Sequence, residues 1–234
     1  MHIPIGSKVE KMFSGIANKY DFLNHILSFG LDYYWRHRLA KKVQSLDPNT
    51  LMDLATGSGD VAFKLSDSLK KTCSITATDF CQAMLDQAKL KQEKSKNYNN
   101  ISFEFGDAMS LNFPDNTFDV VTIAFGVRNF EYREKGLQEI LRVLKPKGSL
   151  FILEFSQPVT WFRPFYFLYL KYILPSIAGL VSKDKNAYNY LAGTIESFPS
   201  KESLKSQLLK AGYSQANAYG MTFSTVAIHK ATKK

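Results

Sequence analysis

The sequence predicts an α/β fold: a doubly wound, mostly parallel seven-stranded sheet with a C-terminal antiparallel hairpin. Three observations predict it. From residue 50 to residue 154, short apolar runs of strand length alternate with helix-length amphipathic segments. The first run, Leu51 to Ala55, breaks at Thr56-Gly57-Ser58-Gly59 and restarts with helical spacing at Asp60, Val61, Ala62, Phe63 and Leu65. The last two β runs, 213–219 and 222–230, are separated only by Gly220-Met221, a spacing that suits a hairpin.

Taken in order, residues 7–47 read as helical and precede the sheet. Ser7 and Glu10 have the spacing of a capping box. Helices continue over Tyr20–Leu27 and Asp32–Leu46, broken near Ser28-Phe29-Gly30, and Asp47-Pro48-Asn49 is a turn. Strand 50–55 then leads to helix 59–70, and strand 73–78 to helix 80–95. Strand 101–105 connects through a loop to strand 117–124, and helix 132–144 precedes strand 148–154. A helical insertion follows the fifth strand, and helix 200–211 leads into the hairpin. No repeat or low-complexity linker divides the chain, so one domain over 1–234 is expected. Its parts are a helical cap (1–48), a cofactor-binding core (49–156), an insertion or lid (157–198), and the last helix with the closing hairpin (199–234).

Composition narrows the class. Hydrophobic residues at 45% and charged residues at 22% suit a folded soluble chain with a large core. Cys73 and Cys81 form no disulfide framework and point to a reducing compartment. The N-terminus lacks the layout of a signal peptide, and no run reaches about 18 apolar residues, so a cytoplasmic protein is expected. The formal charge of +9 invites an anionic partner. Its lysines are scattered, however, at Lys41-Lys42, Lys70-Lys71, Lys89 to Lys96 and Lys233-Lys234. Solvated helix faces explain them better than nucleic acid does.

A glycine turn between strand and helix sets bare N–H groups of Gly57, Ser58 and Gly59 at the carboxyl edge of the sheet, where open α/β folds bind ligands. Asp79 ends the second strand, 22 residues after Gly57. An acid there accepts both ribose hydroxyls of an adenosine group, or caps the next helix. Asp107, followed by Ala108, stands after the third strand, where a carboxylate can accept the exocyclic amine of adenine. Asp53 lies in the first strand within reach of the loop, either in the cofactor site or as a buried acid bonded to loop N–H groups. Gly57-x-Gly59-x-x-Ala62 also satisfies the dinucleotide pattern. Asp53 and Asp60 would repel a diphosphate, whereas a sulfonium cofactor with an ammonium group welcomes carboxylates. That chemistry favours S-adenosylmethionine over NAD, and no metal is expected.

Three blocks carry a resemblance: YDFLNHILSFGLDYYW at 20–35, FPDNTFDVVTIAFGVRNF at 113–130 and RVLKPKGSLFILEFS at 142–156, with AIHK near the C-terminus. The chain resembles the quinone-biosynthesis C-methyltransferase family from about residue 8 to residue 230. The resemblance implies a Rossmann-like class I S-adenosylmethionine-dependent methyltransferase fold and methylation of demethylmenaquinol or a polyprenyl-methoxy-benzoquinol. It also carries cofactor contacts onto Ser58, Asp79 and the Asp107-Ala108 pair. Three positions depart from the family. Asp32 stands where histidine is usual, Lys147 where glycine is usual, and Ala124 where serine is common. Loss of that serine hydroxyl removes a cofactor hydrogen bond worth about 0.5–1.5 kcal/mol.

Methylation at carbon requires the reduced quinol, whose ring becomes nucleophilic when a phenolic proton leaves. A phenol with a pKa near about 10 needs a cation beside it to ionise at neutral pH. Arg128, after the fourth strand, is the candidate, and Asn129 could orient the second ring oxygen. A structural salt bridge from Arg128 to Glu154 is the competing role. By analogy with the fold, Tyr20, Asp21 and Asn24 lie on helices closing over the cofactor, with Tyr20 and Asn24 as candidate substrate contacts; capping and packing are the alternative. The proton acceptor is His25 or a water polarised by Arg128.

The run from Trp161 to Pro175 is nearly apolar all round, yet too short to span a bilayer. It reads as a buried helix, or as a lid over an isoprenoid tail that meets the inner face of the membrane, helped by Arg163, Lys171, Lys183 and Lys185. Weak, salt-sensitive liposome association is the expectation for the second. Two other functions compete: methylation of RNA or another polar substrate, and non-catalytic carriage of a lipid or nucleotide. Against base methylation, Phe125-Gly126-Val127-Arg128-Asn129 occupies the place of an Asn/Asp-Pro-Pro-aromatic motif.

Overall fold

The computed structural model describes residues 6–17, 20–95, 97–175 and 185–234, without the side chains of Leu23 and 185–189. Lys96, Lys183 and the Lys185 side chain, and with them part of the expected lid, lie outside the described residues. The strands are β1 (Thr50–Leu54), β2 (Ser74–Asp79), β3 (Ile101–Phe105), β4 (Phe118–Ala124), β5 (Leu144–Phe155), β6 (Gln215–Met221) and β7 (Val226–Thr232). They form one sheet in the order β3-β2-β1-β4-β5-β7-β6. The first five run parallel, and β7 is antiparallel to both β5 and β6. This is the expected Rossmann-like sheet of a class I methyltransferase fold, closed by the expected hairpin.

Central strands are buried on both faces, which is why they read as continuous apolar runs. Leu51 and its β4 partner Val120 point to one layer, under α3 (Leu31–Gln44), α4 (Asp60–Ser68) and α5 (Gln82–Lys94). Met52 and Val121 point to the other, under α6 (Arg133–Val143) and α9 (Lys201–Lys210). The cap helices α1 (Gly6–Ile16) and α2 (Tyr20–Leu27) precede α3. After β5 come α7 (Arg163–Leu168), a π-helical turn (Tyr169–Ile173) and α8 (Lys185–Ser197). Leu170, Leu174 and Ile195 of this insertion pack with Ile16 and Leu27 of the cap, over the carboxyl ends of the parallel strands. Among the described residues no helix is long and apolar enough to cross a membrane.

Local details differ from expectation for physical reasons. Ser7 lies inside the first turn of α1; the Gly6 N–H instead donates to Glu131 Oε2 at 3.2 Å, so a half-buried carboxylate from the loop after β4 meets this helix. Gly220 and Met221 belong to β6, and the hairpin turn is Thr222–Thr225, closed by the Thr225 N–H on the Thr222 carbonyl at 3.0 Å. Gly220 is needed for clearance, because a Cβ there would sit 2.4 Å from Ser224 Oγ. β5 begins at Leu144 rather than 148, and its register against β4 shifts between Phe118 and Val120.

Lys147, where the resemblance led to the expectation of glycine, sits within this irregularity at φ 63°. A side chain in that left-handed region costs about 1–2 kcal/mol, and glycine gives back about 0.5–1 kcal/mol in unfolded-state entropy. Lys147→Gly is therefore expected to raise the free energy of unfolding by about 0.5–1 kcal/mol in urea titrations. Gly59 shows the opposite case. Its φ is 87°, and a Cβ would stand 2.9 Å from Phe63, 3.1 Å from Phe103 and 3.2 Å from Ala88. Gly59→Ala should lower stability by about 2–4 kcal/mol, from backbone strain together with overpacking, measured the same way.

Candidate active site

The loops after β1 to β4 meet at the carboxyl edge, where two cavities lie side by side. One, of about 340 Å³, is bounded by Gly57, Asp79, Phe80, Asp107, Ala108 and Asn129. Its charged lining residues are Glu10, Asp79, Asp107 and Glu131, with no lysine, arginine or histidine among the described residues that line it. The other, of about 350 Å³, lies between cap and insertion, under the rings of Phe29, Phe155, Phe162, Phe165, Tyr166 and Tyr169, and Arg128 reaches it. Tyr20, Ala55, Gly57, Ala124 and Phe125 line both cavities and form the wall between them.

The acidic cavity fits the expected cofactor. Among the described residues a diphosphate would meet four carboxylates and no cation there, whereas a sulfonium with an ammonium group is compensated. Asp79 holds the loop: its Oδ2 accepts from the Gly57 N–H at 2.8 Å, and its Oδ1 from the Cys81 N–H at 2.9 Å. Burial pushes its carboxyl up to about 6, although backbone N–H groups of Cys81, Gly57 and Phe80 favour the charged form. Asp107 accepts from the Met109 N–H at 2.8 Å through Oδ1. Gly57 and Ala108 complete this side.

Several expected cofactor contacts stand elsewhere. Asp53 reaches neither cavity. It is buried beneath the loop, accepting hydroxyl bonds from Thr56 at 2.6 Å and Thr122 at 2.6 Å, so it braces the turn through side chains rather than loop N–H groups. Burial raises it to about 6 as well. Gly59 lines neither cavity and serves as the left-handed residue before α4. Ser58 faces the aromatic chamber, and its hydroxyl donates to Asp21, whose other oxygen pairs with Lys91 at 2.5 Å.

Arg128 lies in a 3-10 turn, Val127–Asn129. Nη1 donates to Glu154 Oε1 at 2.9 Å and to the Phe125 carbonyl, and the Arg128 N–H donates to Glu154 Oε2 at 3.3 Å. Glu154 is 0% exposed and Arg128 7% exposed, so this is a buried ion pair. The salt bridge to Glu154 read from the sequence is therefore present, and Arg128 also lines the aromatic chamber. Its Nε has no partner among the described residues, and its guanidinium carbon is 5.3 Å from the Phe155 ring centroid. Asn129 is turned the other way, onto the acidic cavity, with Oδ1 accepting from the Tyr190 hydroxyl at 3.1 Å. It is not placed beside the aromatic chamber as expected.

Tyr20 stands in the dividing wall, its hydroxyl raised by burial and hydrogen-bonded to Asn24, which lines the aromatic chamber. His25 lines neither cavity; its Nδ1 is 2.6 Å from Asp32 Oδ2, and Arg36 Nη1 is 2.9 Å from the same oxygen. Although burial opposes it, Arg36 and Lys91 hold Asp60 below the usual carboxylate range.

Sequence reasoning missed Phe125 as a wall residue. Its φ of 57°, strained for an aromatic residue, is the structural mark, and its position before Gly126 was the available signal. Thr222 and Thr225 of the hairpin turn also line the chamber, and Trp35 Nε1 donates to Thr222 Oγ1 at 2.8 Å. Nothing local in the sequence announces that contact.

Comparison with known proteins gives a consistent picture. The ubiE/COQ5 methyltransferase family model matches residues 4–233. The chain is 40% identical over 227 residues to the demethylmenaquinone methyltransferase of Bacteroides fragilis, covering 97% of this chain and 92% of that protein. It is 38% identical over 229 residues to the ubiquinone/menaquinone biosynthesis C-methyltransferase UbiE of Geotalea daltonii, covering 97% of each. Among solved structures, a SAM dependent methyltransferase from Aquifex aeolicus superposes with a TM-score of 0.61 at 20% identity, covering 83% of this chain and 89% of that one. The [4+2]-cyclase SpnF superposes with a TM-score of 0.67 at 17% identity, covering 100% of this chain and 97% of that one. These two likenesses concern the fold alone, and a cyclase among them shows that the fold does not choose the reaction.

Proposed function

This chain belongs to the ubiE/COQ5 methyltransferase family, and from that premise we propose that it methylates a ring carbon of a polyprenylated quinol. Demethylmenaquinol is the proposed substrate, with the methoxy-polyprenyl-benzoquinol as the second. The observation that carries this reading is the pair of cavities with a common wall: one acidic and, among the described residues, free of cationic lining, one aromatic with Arg128 in its lining.

S-Adenosylmethionine, when bound, supplies a methyl group already activated on sulfur. In this reading Asp79 accepts the ribose hydroxyls, Asp107 the adenine amine, and the acidic lining balances the positive charge. Tyr20, Ala124 and Phe125 keep the two cavities adjacent, so that alignment replaces a diffusive encounter. The rings of the second chamber hold the aromatic acceptor and exclude bulk water.

Arg128 donates to a quinol oxygen and favours its phenolate form. Because Glu154 balances the guanidinium charge, its contribution is directed hydrogen bonding away from bulk water rather than net positive charge. The phenolic proton passes to a water beside Arg128, since His25 is engaged by Asp32 and lines neither cavity. Deprotonation of the oxygen puts electron density on the ring carbon, where a C–C bond would form as the carrier's S–C bond breaks and S-adenosylhomocysteine leaves. Loss of the ring C–H proton to water and return of a proton to the oxygen would then restore the aromatic quinol.

The relatives' names favour demethylmenaquinol, and the aromatic chamber suits a fused ring. The test is a single-turnover assay with methyl-labelled S-adenosylmethionine and reduced quinol. Label on a ring carbon of demethylmenaquinol, faster than on the benzoquinol, is the expected result. Label on oxygen, or none, overturns the reading. The protein is proposed to act from the cytoplasm at the inner face of the membrane, where such quinols reside.

A further inference from the structure

Large apolar side chains from three distant segments meet around the mouth of the aromatic chamber. Phe29 and Leu31 come from the α2–α3 corner, Trp161, Phe165 and Leu168 from the insertion, and Phe223 from the hairpin turn. Phe29 is 70% exposed, Phe165 64%, Trp161 62%, Leu168 54% and Phe223 53%. These segments form one rim. Phe29, Leu31 and Phe165 line the chamber while facing solvent. The Phe29 ring lies 5.9 Å from that of the chamber residue Tyr169, and Phe223 lies 5.2 Å from Trp161 and 4.9 Å from Phe162, another chamber residue. Leu168 follows Phe165 by three positions on α7 and shares its face.

An exposed apolar cluster of this kind calls for a partner, and its charge indicates which. Residues 157–175 and 220–225 contain no aspartate or glutamate, and within 27–34 the one acid, Asp32, is buried. Arg163 and Lys171 are exposed beside the aromatic residues. Aromatic rings with basic residues and, within these three segments, no exposed acid are the composition of a surface that lies in the headgroup region of an anionic bilayer. Volume makes the same argument. A chamber of about 350 Å³ has room for a fused ring and the first part of a side chain, not for a polyprenyl chain.

We propose that this three-segment rim seats on the surface of an anionic bilayer with the chamber mouth facing the acyl region. The quinol ring then rises into the chamber while its tail stays in lipid. The purpose of the seat rests on the quinol reading above, but the seat itself is tested without it. It also goes beyond a single lid helix, because the α2–α3 corner and the hairpin turn fix which way the protein faces.

The chain provides its own probe, since it has two tryptophans and Trp35 is buried, leaving Trp161 as the exposed one. Full-length protein is mixed at low salt with vesicles of phosphatidylglycerol or of phosphatidylcholine, with and without bromine on the acyl chains. The expected result is a blue shift and bromine quenching of Trp161 with phosphatidylglycerol, weakened by salt and small with phosphatidylcholine. Leu168→Ser/Lys171→Glu should lower vesicle affinity by about tenfold or more. Neither position lines a cavity, so methylation of a short-tailed soluble quinol should stay as in the parent. No response to anionic vesicles at low salt overturns the seat. So does a dimer that buries Trp161 without lipid. Methylation of the soluble quinol in the same preparation separates failure of the seat from failure of the quinol reading.

Discussion

Arg128→Ala is expected to lower turnover by about two to three orders of magnitude, the scale found when a donor aimed at developing negative charge is removed. S-Adenosylmethionine affinity should change by less than about threefold, because Arg128 lines the aromatic chamber and not the acidic cavity. The same substitution leaves Glu154 buried without its partner, and breaking such a pair destabilises by about 3–5 kcal/mol. A second variant separates the two effects. Arg128→Met with Glu154→Gln removes both charges and should recover most of the stability lost. Turnover should stay low, because the donor is still missing. Recovery of turnover along with stability would make Arg128 a structural residue only. Intact turnover in the single variant would remove it from the mechanism altogether.

Asp79→Ala has the second largest expected effect, and it is on binding. A carboxylate accepting both ribose hydroxyls makes charge-assisted hydrogen bonds worth about 1.5–3 kcal/mol each, so affinity should fall about a hundredfold or more. Calorimetry with S-adenosylmethionine measures it, and unchanged affinity would take Asp79 out of the site. Its pH dependence follows from burial. Asp79 and Asp53 are both raised to about 6 in the folded protein, above the 3.8 of an ordinary aspartate. Between those values the folded state holds more protons than the unfolded one, so the stability of the free protein from these two groups falls as pH rises through that window. Cofactor binding has the opposite sign, because ribose hydroxyls favour ionised Asp79. Affinity should therefore rise by about tenfold between pH 5 and pH 7, with proton release on binding at the lower pH. Asp79→Asn should bind weakly and lose most of that dependence.

Much of the fold was legible because the carboxyl edge is built from local pattern. An apolar run, a glycine turn and a restarted helical period specify β1, the loop and α4 without reference to the rest of the chain. Asp79 and Asp107 were legible for the same reason, as residues that end strands whose apolar patterns are clear.

What was not legible depends on pairing between distant segments. Asp53 sits opposite Thr122 because β1 pairs with β4 in that register, and this turns its carboxylate to a neighbouring hydroxyl and away from both cavities. Ser58 is taken by Asp21 from a cap helix 37 residues earlier. Asn129 follows Arg128 directly, yet the 3-10 turn sends the two side chains to different cavities. Gly220 looked like a turn residue because glycine often is one, when its role is to admit Ser224. The apolar insertion was visible as composition, but its join with Phe29 and Phe223 into one rim exists only in three dimensions.

The central claim is that the acidic cavity holds the adenosine group and the neighbouring aromatic chamber holds the methyl acceptor. A crystal structure with S-adenosylhomocysteine addresses it most directly. The account predicts ribose on Asp79, adenine beside Asp107 and Ala108, and sulfur at the wall of Tyr20, Ala124 and Phe125, pointing toward the chamber. Adenosine bound among the aromatic rings, or ordered density only outside both cavities, would contradict it.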